Sequence, residues 1–145
     1  MIIDHNLNSS SINLKKYISF MNNVLQPKLY SLIKEREELD KSLSEYFKLK
    51  SHILQIQNEK LSQMKVMVDI GSNFYVQTKI ENTSKIIVSL DCKGIYIEMT
   101  QEEALEFIDK KENIIRKKAE AKSTHINQIR AYIIIILEAI SKISS

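Results

Sequence analysis

Apolar and polar residues alternate with a period of two over the middle of the chain, between Met64 and Met99. This alternation is typical of half-buried β-strands, and it predicts four of them. The predicted strands are residues 64–70, 73–80, 85–90 and 95–99. The turns between them are Gly71-Ser72, Asn82-Thr83-Ser84 and Asp91-Cys92-Lys93-Gly94. Both glycines of the chain lie in these turns, where a positive φ costs least, so we expect two β-hairpins in succession.

One face of the predicted strands is apolar, and the other carries mainly Lys, Asp, Asn, Gln and Glu. Nothing inside this stretch can cover the apolar face, and the edges of the strands are unpaired. We therefore expect partner chains to cover it. The residues predicted at this subunit interface are Val66, Val68, Ile70, Phe74, Val76, Ile86, Val88, Leu90, Ile95 and Ile97.

A long helix, residues 10–63, is predicted before the strands, and Ser10 or Ser11 can cap its start. Its apolar residues follow the three-and-four spacing of a coiled-coil seam, which Arg36 and Lys50 interrupt. The seam residues are Leu25, Leu29, Leu32, Leu39, Leu43, Tyr46 and Ile53, with Leu14, Tyr17, Phe20 or Met21, and Val24 upstream. Near the strands the apolar stripe broadens, either for contact with several neighbours or for packing on the chain's own strands. Because proline removes a helix hydrogen bond, Pro27 predicts a kink or a break near residues 24–26.

A second helix, residues 100–144, is predicted after the strands. Thr100 and Glu103 have the spacing of a capping box, and acidic residues occupy the first turn. The seam positions that follow are Leu105, Ile108, Glu112, Ile115, Ala119, Lys122, Ile126, Ile129, Ile133, Ile136, Ile140 and Ile143. They alternate four and three residues apart over five heptads, which indicates a coiled coil.

The two seams are joined by so short a stretch that they can meet only as an antiparallel pair. If Gln63 lies opposite Thr100, Ile126 falls near Glu37. The far end of the pair then has more apolar side chains than one seam can bury, and exposed apolar patches mark binding surfaces. The residues predicted at this binding surface are Leu14, Tyr17, Phe20, Met21, Ile134, Ile135 and Leu137. The alternative is that these residues complete the seam or belong to frayed helix ends.

Composition limits the class of protein. The chain has 145 residues but only two glycines and one proline, so we expect long elements, few turns and one elongated domain. A net charge of +3, made of interspersed signs, does not suggest a nucleic-acid-binding protein. The single cysteine, Cys92, excludes an internal disulfide and fits a reducing compartment. We find no signal-like stretch and no run of about 18 apolar residues, and we expect a soluble intracellular protein.

The order helix, two β-hairpins, helix resembles the α-type prefoldin subunits, and several stretches agree with that family. Residues 68–76 (VDIGSNFYV) are similar to its hairpin signature. Residues 95–100 (IYIEMT) and 103–111 (EALEFIDKK) are similar to its fourth strand and second helix. Tyr17, Phe20 and residues 24–26, with residues 82–86, are closest to one subfamily of prefoldin-like α subunits. The resemblance covers about residues 13–140.

This resemblance implies a hetero-hexamer in which strands of α- and β-type subunits form a double β-barrel base that carries six coiled-coil arms. The tips of the arms then hold unfolded protein and deliver it to a cytosolic chaperonin. The subfamily implies a prefoldin-like complex and a transcription-cofactor role as well. The expected partners are other prefoldin subunits, unfolded clients and the chaperonin, without nucleic acid or membrane. The expected locations are the cytoplasm and the nucleus.

No set of residues suggests catalysis, a cofactor or a metal site. His5, His52 and His125 lack the spacing of metal ligands, and a phosphate-binding loop needs glycines that this chain does not have. The basic run of residues 116–118 is typical of a solvated helix face, with contact to an acidic partner as the alternative. We therefore expect a protein that is not an enzyme.

Three functions remain after this reasoning. The first is a co-chaperone subunit that binds unfolded protein at its tips. The second is a scaffold or transcription cofactor that holds particular folded partners. The third, an amphipathic hairpin on a membrane, is disfavoured because the polar face is mixed in sign rather than basic.

Overall fold

Long helices flank two short hairpins in the computed structural model, which describes residues 2–90 and 94–144, with side chains from Ser11 onward. Helix α1 spans Ile2–Phe20, a π-helical turn covers Met21–Leu25, and α2 spans Gln26–Asn58. The later elements are β1 Met64–Asp69, β2 Tyr75–Ile80, β3 Lys85–Ser89, β4 Tyr96–Thr100 and α3 Gln101–Ser144. This order confirms the predicted fold class, a mainly α protein with a small β part. The turn at Cys92 lies outside the described residues.

Helix α1 begins at Ile2, so the prediction of a start at Ser10 or Ser11 was wrong. No glycine or proline precedes the two serines. Ile3 and Leu7 also continue the apolar spacing that leads to Leu14. The pattern therefore favours a helix that continues upstream of the predicted cap.

The helix is irregular where Pro27 predicted a kink or a break, but the irregularity is a π-helical turn and the helix continues through the proline. The N–H of Gln26 donates to the Met21 carbonyl, five residues earlier. The spacing of the apolar residues explains the turn. Met21, Leu25 and Leu29 step by four twice, which is one residue more than a heptad. A π turn absorbs one extra residue and keeps the apolar stripe aligned.

Helix α2 ends at Asn58, before the predicted end at Gln63, and this boundary was therefore wrong. The N–H of Leu61 donates to the Ile56 carbonyl at 3.1 Å and that of Lys60 to the Gln57 carbonyl at 3.2 Å, the two bonds of a Schellman motif. Lys60 adopts the required positive φ, 49°, where glycine is usual. Because no glycine marks this end, the sequence pattern extended the helix too far.

The capping box predicted at the start of α3 is confirmed. The N–H of Glu103 donates to Thr100 Oγ1 at 3.2 Å, and the N–H of Thr100 donates to Glu103 Oε2 at 2.9 Å. These reciprocal bonds satisfy two donors that the first turn of a helix leaves without partners. They fix the point at which β4 becomes α3.

Thr83, between the two hairpins, is the buried polar residue of the described chain. Its hydroxyl donates to the Leu61 carbonyl, and its N–H donates to the Ser62 carbonyl at 3.3 Å. Its own carbonyl accepts a hydrogen bond from Gln101 Nε2 at 2.6 Å. One residue therefore connects the exit of α2, the link between the hairpins and the start of α3.

Each hairpin forms its own two-stranded antiparallel sheet. Strand β1 pairs with β2 and β3 pairs with β4, and the described strands of the two hairpins are not hydrogen-bonded to each other. In the first turn, Gly71, Ser72 and Asn73 all have positive φ. The N–H of Gly71 donates to Asp69 Oδ1 at 2.8 Å, which stabilises this tight reversal.

The helices pair along the predicted seams within two units. The terminal unit comprises the described residues of Met1–Lys41 and Ile115–Ser145, and the hairpin unit is Ser42–Ile114. The buried core of the terminal unit includes Leu25, Leu32, Ile126 and Ile129. Buried residues of the hairpin unit include Tyr46, Ile53 and Ile108. Ala104 is fully buried as well and was missed, because a lone alanine gives little hydrophobic signal.

The predicted register between the helices was wrong by about one helical turn. In the terminal unit Arg36 Nε donates to Ser123 Oγ at 2.7 Å, whereas the prediction placed Glu37 near Ile126. In the hairpin unit Lys50 Nζ lies 2.5 Å from Asp109 Oδ1. Both pairs are four residues out of the predicted register. The cause is the early end of α2, because residues 59–63 do not continue the helix.

Candidate interaction surfaces

The apolar face of the first hairpin is exposed. The register pairs Val66 with Thr78 and Val68 with Val76, so the predicted interface residues of both strands share one face. Val66 is half-buried. The side chains of the other four predicted interface residues in this hairpin are 42–68% exposed. These residues are Val68, Ile70, Phe74 and Val76. Large apolar side chains that are exposed together are typical of a protein–protein interaction surface.

The second hairpin is partly covered by the chain itself. Ile95 and Ile97 are exposed, whereas Val88 is only 2% exposed. Tyr46 and Leu49 of α2 line a cleft together with Val88. The expectation that partner chains cover the apolar face was therefore wrong at Val88, where the alternative applies and the broadened apolar stripe of α2 packs on the chain's own strand. The half-buried predicted members of this hairpin are Ile86 and Leu90.

The other face of the hairpins also exposes large apolar side chains, which the sequence analysis assigned to no surface. Met67 and Tyr75 of the first hairpin are 61% and 58% exposed. Ile87 and Tyr96 of the second are 71% and 64% exposed. The sequence did indicate this second apolar surface, because these four positions carry apolar residues where strict alternation requires polar ones. Both faces of the first hairpin, and one face of the second, are therefore open to neighbouring chains.

The edges of the hairpins are open too. Each described sheet has two strands, so every strand has one edge without a hydrogen-bonded neighbour. A two-stranded sheet is marginally stable by itself, and an unpaired edge can accept a further strand. Open edges and exposed apolar faces occur on the same elements. The hairpin unit therefore offers both backbone and side-chain groups to a partner.

The predicted client-binding residues all lie in the terminal unit, and most of them are exposed. We call this set the terminal patch: Leu14, Tyr17, Phe20, Met21, Ile134, Ile135 and Leu137. Leu14 and Met21 are half-buried, and the other members are 41–61% exposed. Ile133 and Ile136 pack against the buried cluster of Leu25 and Leu32 and continue the seam. The patch residues of α3 therefore lie beside the seam.

A shallow apolar groove on α1 adjoins the terminal patch. Ile12, Phe20 and Val24 line it, together with the stems of Lys15 and Lys16. The three apolar side chains are each 47–48% exposed. Ile12 was not among the predicted residues, because it stands outside the heptad seam. The groove extends the apolar surface of the terminal unit along α1.

Three of the charged residues that interrupt the seams have partners on the facing helix. Arg36 donates to Ser123, Lys50 pairs with Asp109, and Lys122 pairs with Glu35. The hydrogen bond and the positive charge of Lys122 hold the pKa of Glu35 below its ordinary value. Lys110, one turn along α3, likewise lowers the pKa of Glu106 through a hydrogen bond and its charge. The three pairs that join α2 to α3 are partly solvated, and we infer that they fix the helix register more than they add stability.

The described residues contain no group of three or more His, Cys, Asp and Glu side chains placed to hold a metal ion. His52 and His125 are exposed on helix surfaces, and the side chain of His5 lies outside the described ones. Within the same residues, no helix has the length and apolar character required to cross a bilayer.

Comparison with protein families identifies the class. The family model described as a prefoldin subunit matches residues 25–145. The chain therefore belongs to the prefoldin family. A solved relative, described as filamentous PFD from Methanocaldococcus jannaschii, aligns with a TM-score of 0.62 over 81% of this chain and 95% of its own. At 22% sequence identity this likeness shows the shared fold.

Two relatives with higher sequence identity define the subfamily. The chain is 34% identical to "Protein UXT homolog" of Dictyostelium discoideum over 131 residues, which cover 90% of this chain and 81% of that protein. It is 32% identical to "Protein UXT" of Homo sapiens over 128 residues, 88% of this chain and 81% of that protein. The residues that indicated a prefoldin-like subfamily pointed to this one, the ubiquitously expressed transcript (UXT) subfamily. The resemblance is confirmed, and the chain is a UXT-like prefoldin subunit.

Proposed function

We propose that this chain is a non-enzymatic co-chaperone subunit of a prefoldin-like hetero-hexamer. Its hairpins join strands of α- and β-type sister subunits in a shared β-barrel base. Its terminal patch binds unfolded protein, which the complex delivers to a cytosolic chaperonin. The observation that carries this proposal is the exposure of apolar side chains on hairpins whose edges are also open.

The chemistry of the hairpin surface supports assembly with other chains. Val68, Phe74 and Ile97 are each more than 40% exposed. Burial of such side chains stabilises an interface by about 25 cal/mol for each Å² removed from water. Added strands would also satisfy the free backbone groups along the edges. A chain without these partners is expected to self-associate or to lose hairpin structure.

The terminal patch supports contact with unfolded protein. Its exposed members are aromatic or aliphatic, and they lie beside the seam on long helices. Such a surface offers apolar area without a shaped polar pocket, which favours weak and promiscuous binding.

This subunit is expected to act in the cytoplasm and also in the nucleus.

Native mass spectrometry of the chain co-expressed with α- and β-type prefoldin subunits tests the assembly. The expected species is a hetero-hexamer that contains this chain. A well-folded monomer that resists dilution and joins no complex would contradict the proposal.

An aggregation-suppression assay on the same complex tests the binding of unfolded protein. Tyr17→Ser combined with Ile134→Ser should weaken suppression, because both changes remove exposed apolar area from the terminal patch. The competing function is a scaffold or transcription cofactor. It predicts unchanged suppression and the loss of one defined folded partner from the purified complex.

A further inference from the structure

The charges around the terminal patch are mainly positive. Residues 11–34 contain no acidic residue, and residues 124–144 contain only Glu138. The basic residues of these two segments are Lys15, Lys16, Lys28, Lys34, Arg130 and Lys142. The whole chain carries a net charge of only +3, so its positive excess is concentrated here. Positive and negative charges are mixed over the chain as a whole, but residues 11–34 and 124–144 carry mainly positive ones.

Two of these lysines border the groove on α1. Lys15 and Lys16 line it with Ile12, Phe20 and Val24. Both lysines are exposed, and neither has an ion-pair partner among the described residues. The sequence explains this, because no acidic residue lies within one turn on either side of them. Cations of the seam such as Lys122 behave differently, since they pair with carboxylates of the facing helix.

We propose that the terminal patch and its groove select polypeptide segments in which acidic residues are interspersed among apolar ones. The apolar residues of such a segment would cover Ile12, Phe20 and Val24, and its carboxylates would pair with Lys15 and Lys16. A basic segment of equal hydrophobicity is repelled by the same lysines, so the charges act mainly on selectivity. This inference rests on the proposed function, because it names the class of client that the patch receives.

A polypeptide fits this surface better than a nucleic acid or a membrane does. Nucleic acid would satisfy the lysines but leave the apolar floor of the groove uncovered. A membrane-bound helix needs one continuous apolar face, and two residues of that face, Leu14 of α1 and Met21 of the π-helical turn, are already half-buried. A peptide with both acidic and apolar residues matches the apolar side chains of the groove and the lysines that border it.

Fluorescence anisotropy with three labelled peptides tests the inference on the full chain. The peptides share the same apolar residues and carry Glu, Gln or Lys at the remaining positions. The Glu peptide is expected to bind about fivefold more tightly than the Gln peptide at low salt, as exposed ion pairs allow, and the Lys peptide more weakly than both. In about 1 M salt the screening length falls to about 3 Å, and the three affinities should converge.

A charge-reversed pair of variants locates the effect. Lys15→Glu with Lys16→Glu should reverse the preference between the Glu and Lys peptides. Lys117→Glu with Lys118→Glu is the matched control. It makes the same charge change at two adjacent exposed lysines of the same unit, away from the groove, and should preserve the preference for Glu.

The possible results separate the inference from the proposed function. Equal binding of all three peptides leaves client binding intact and overturns the acidic selectivity. Binding of none overturns both. Anionic phospholipid vesicles and duplex DNA serve as competitors, and capture of either one without the Glu peptide would show that the lysines serve a different class of partner.

Discussion

Arg36 of α2 donates a hydrogen bond from Nε to Ser123 Oγ of α3, at 2.7 Å, and its guanidinium also lies 2.9 Å from the Asp40 carboxylate. A cation therefore occupies a seam position between Leu32 and Leu39. A polar residue at such a position selects one register at a cost in stability, because an apolar residue would bury more surface. The register of the terminal unit thus depends on a pair that adds little to its stability.

Replacing this pair by apolar residues should stabilise the terminal unit. We expect Arg36→Leu with Ser123→Ala to raise the free energy of unfolding by about 1 kcal/mol, because the leucine completes the apolar seam. Urea denaturation followed by circular dichroism measures the change. Glu37→Leu, on the exposed side of the same helix, is the control and should give little gain. A lower midpoint for the double variant would show that the Arg36 pair is a net source of stability.

The hydroxyl of Thr83 is expected to be essential for holding the hairpins between α2 and α3. Thr83→Val removes the donor to the partly buried Leu61 carbonyl and keeps the size of the side chain. It should lower the free energy of unfolding by about 1–3 kcal/mol, the usual cost of a buried polar group left without a partner. Thr83→Ser retains the hydroxyl and should lose much less. Equal losses in the two variants would assign the effect to packing of the methyl group.

Much of this fold is predictable because its elements carry periodic signals. The three-and-four spacing located the seams from Leu25 to Ile53 and from Ile108 to Ile140, and Thr100 with Glu103 located the start of α3. The end of α2 was missed because Lys60 adopts the positive φ that a glycine normally signals. That single boundary moved the predicted register by a turn.

The candidate surfaces were predictable in composition but only partly in exposure. Alternation identified Phe74 and Val88 as members of the same apolar face. It could not show that α2 covers Val88, because coverage depends on how the helix packs on β3. Tyr46 and Leu49 line the cleft beside Val88, and the broadened apolar stripe of α2 was the signal for this contact.

Phe74 and Val88 should therefore respond differently to the same substitution. Phe74 is 68% exposed, and Phe74→Asp should prevent assembly with sister subunits while leaving the helix content of the chain, measured by circular dichroism, largely unchanged. Val88 is 2% exposed, and Val88→Asp should destabilise the hairpin unit itself, because it buries an unpaired charge. Native mass spectrometry and circular dichroism separate the two effects. Normal assembly of Phe74→Asp would exclude the first hairpin from the interface.

The Glu35–Lys122 pair should make the terminal unit sensitive to acid. Because Lys122 lowers the folded-state pKa of Glu35, the pair stabilises the folded chain above the unfolded pKa of about 4.5. That contribution is lost as the pH falls through the lower, folded-state value. Glu35→Gln should flatten the fall of the urea midpoint below about pH 5. Glu38→Gln is the control, since Glu38 has no ion pair among the described residues, and it should leave the profile unchanged.

Two features of the chain could cause the π-helical turn at Met21–Leu25: the missing N–H of Pro27 and the extra residue in the apolar stripe. We attribute the turn to the extra residue, because the steps from Met21 to Leu25 and on to Leu29 remain whatever residue stands at position 27. Pro27→Ala should then raise the free energy of unfolding by about 1–3 kcal/mol, since alanine restores a backbone donor and suits a helix. It should leave the burial of Met21 unchanged.

The rate at which a thiol reagent modifies Met21→Cys, in a Cys92→Ser background, reports that burial with and without the proline. Met21 is half-buried, so modification should be slower than at the exposed Asn22 position, and Pro27→Ala should not alter the ratio of the two rates. If the proline holds the turn, its removal would instead let a regular α-helix form. The residues before it would then rotate by about 80–100° relative to α2, roughly one helical residue, which would change which side of α1 faces α3. If Pro27→Ala raises the modification rate at position 21 to that at position 22, Pro27 is the cause of the π-helical turn. The proline would then be the residue that orients the α1 part of the terminal patch.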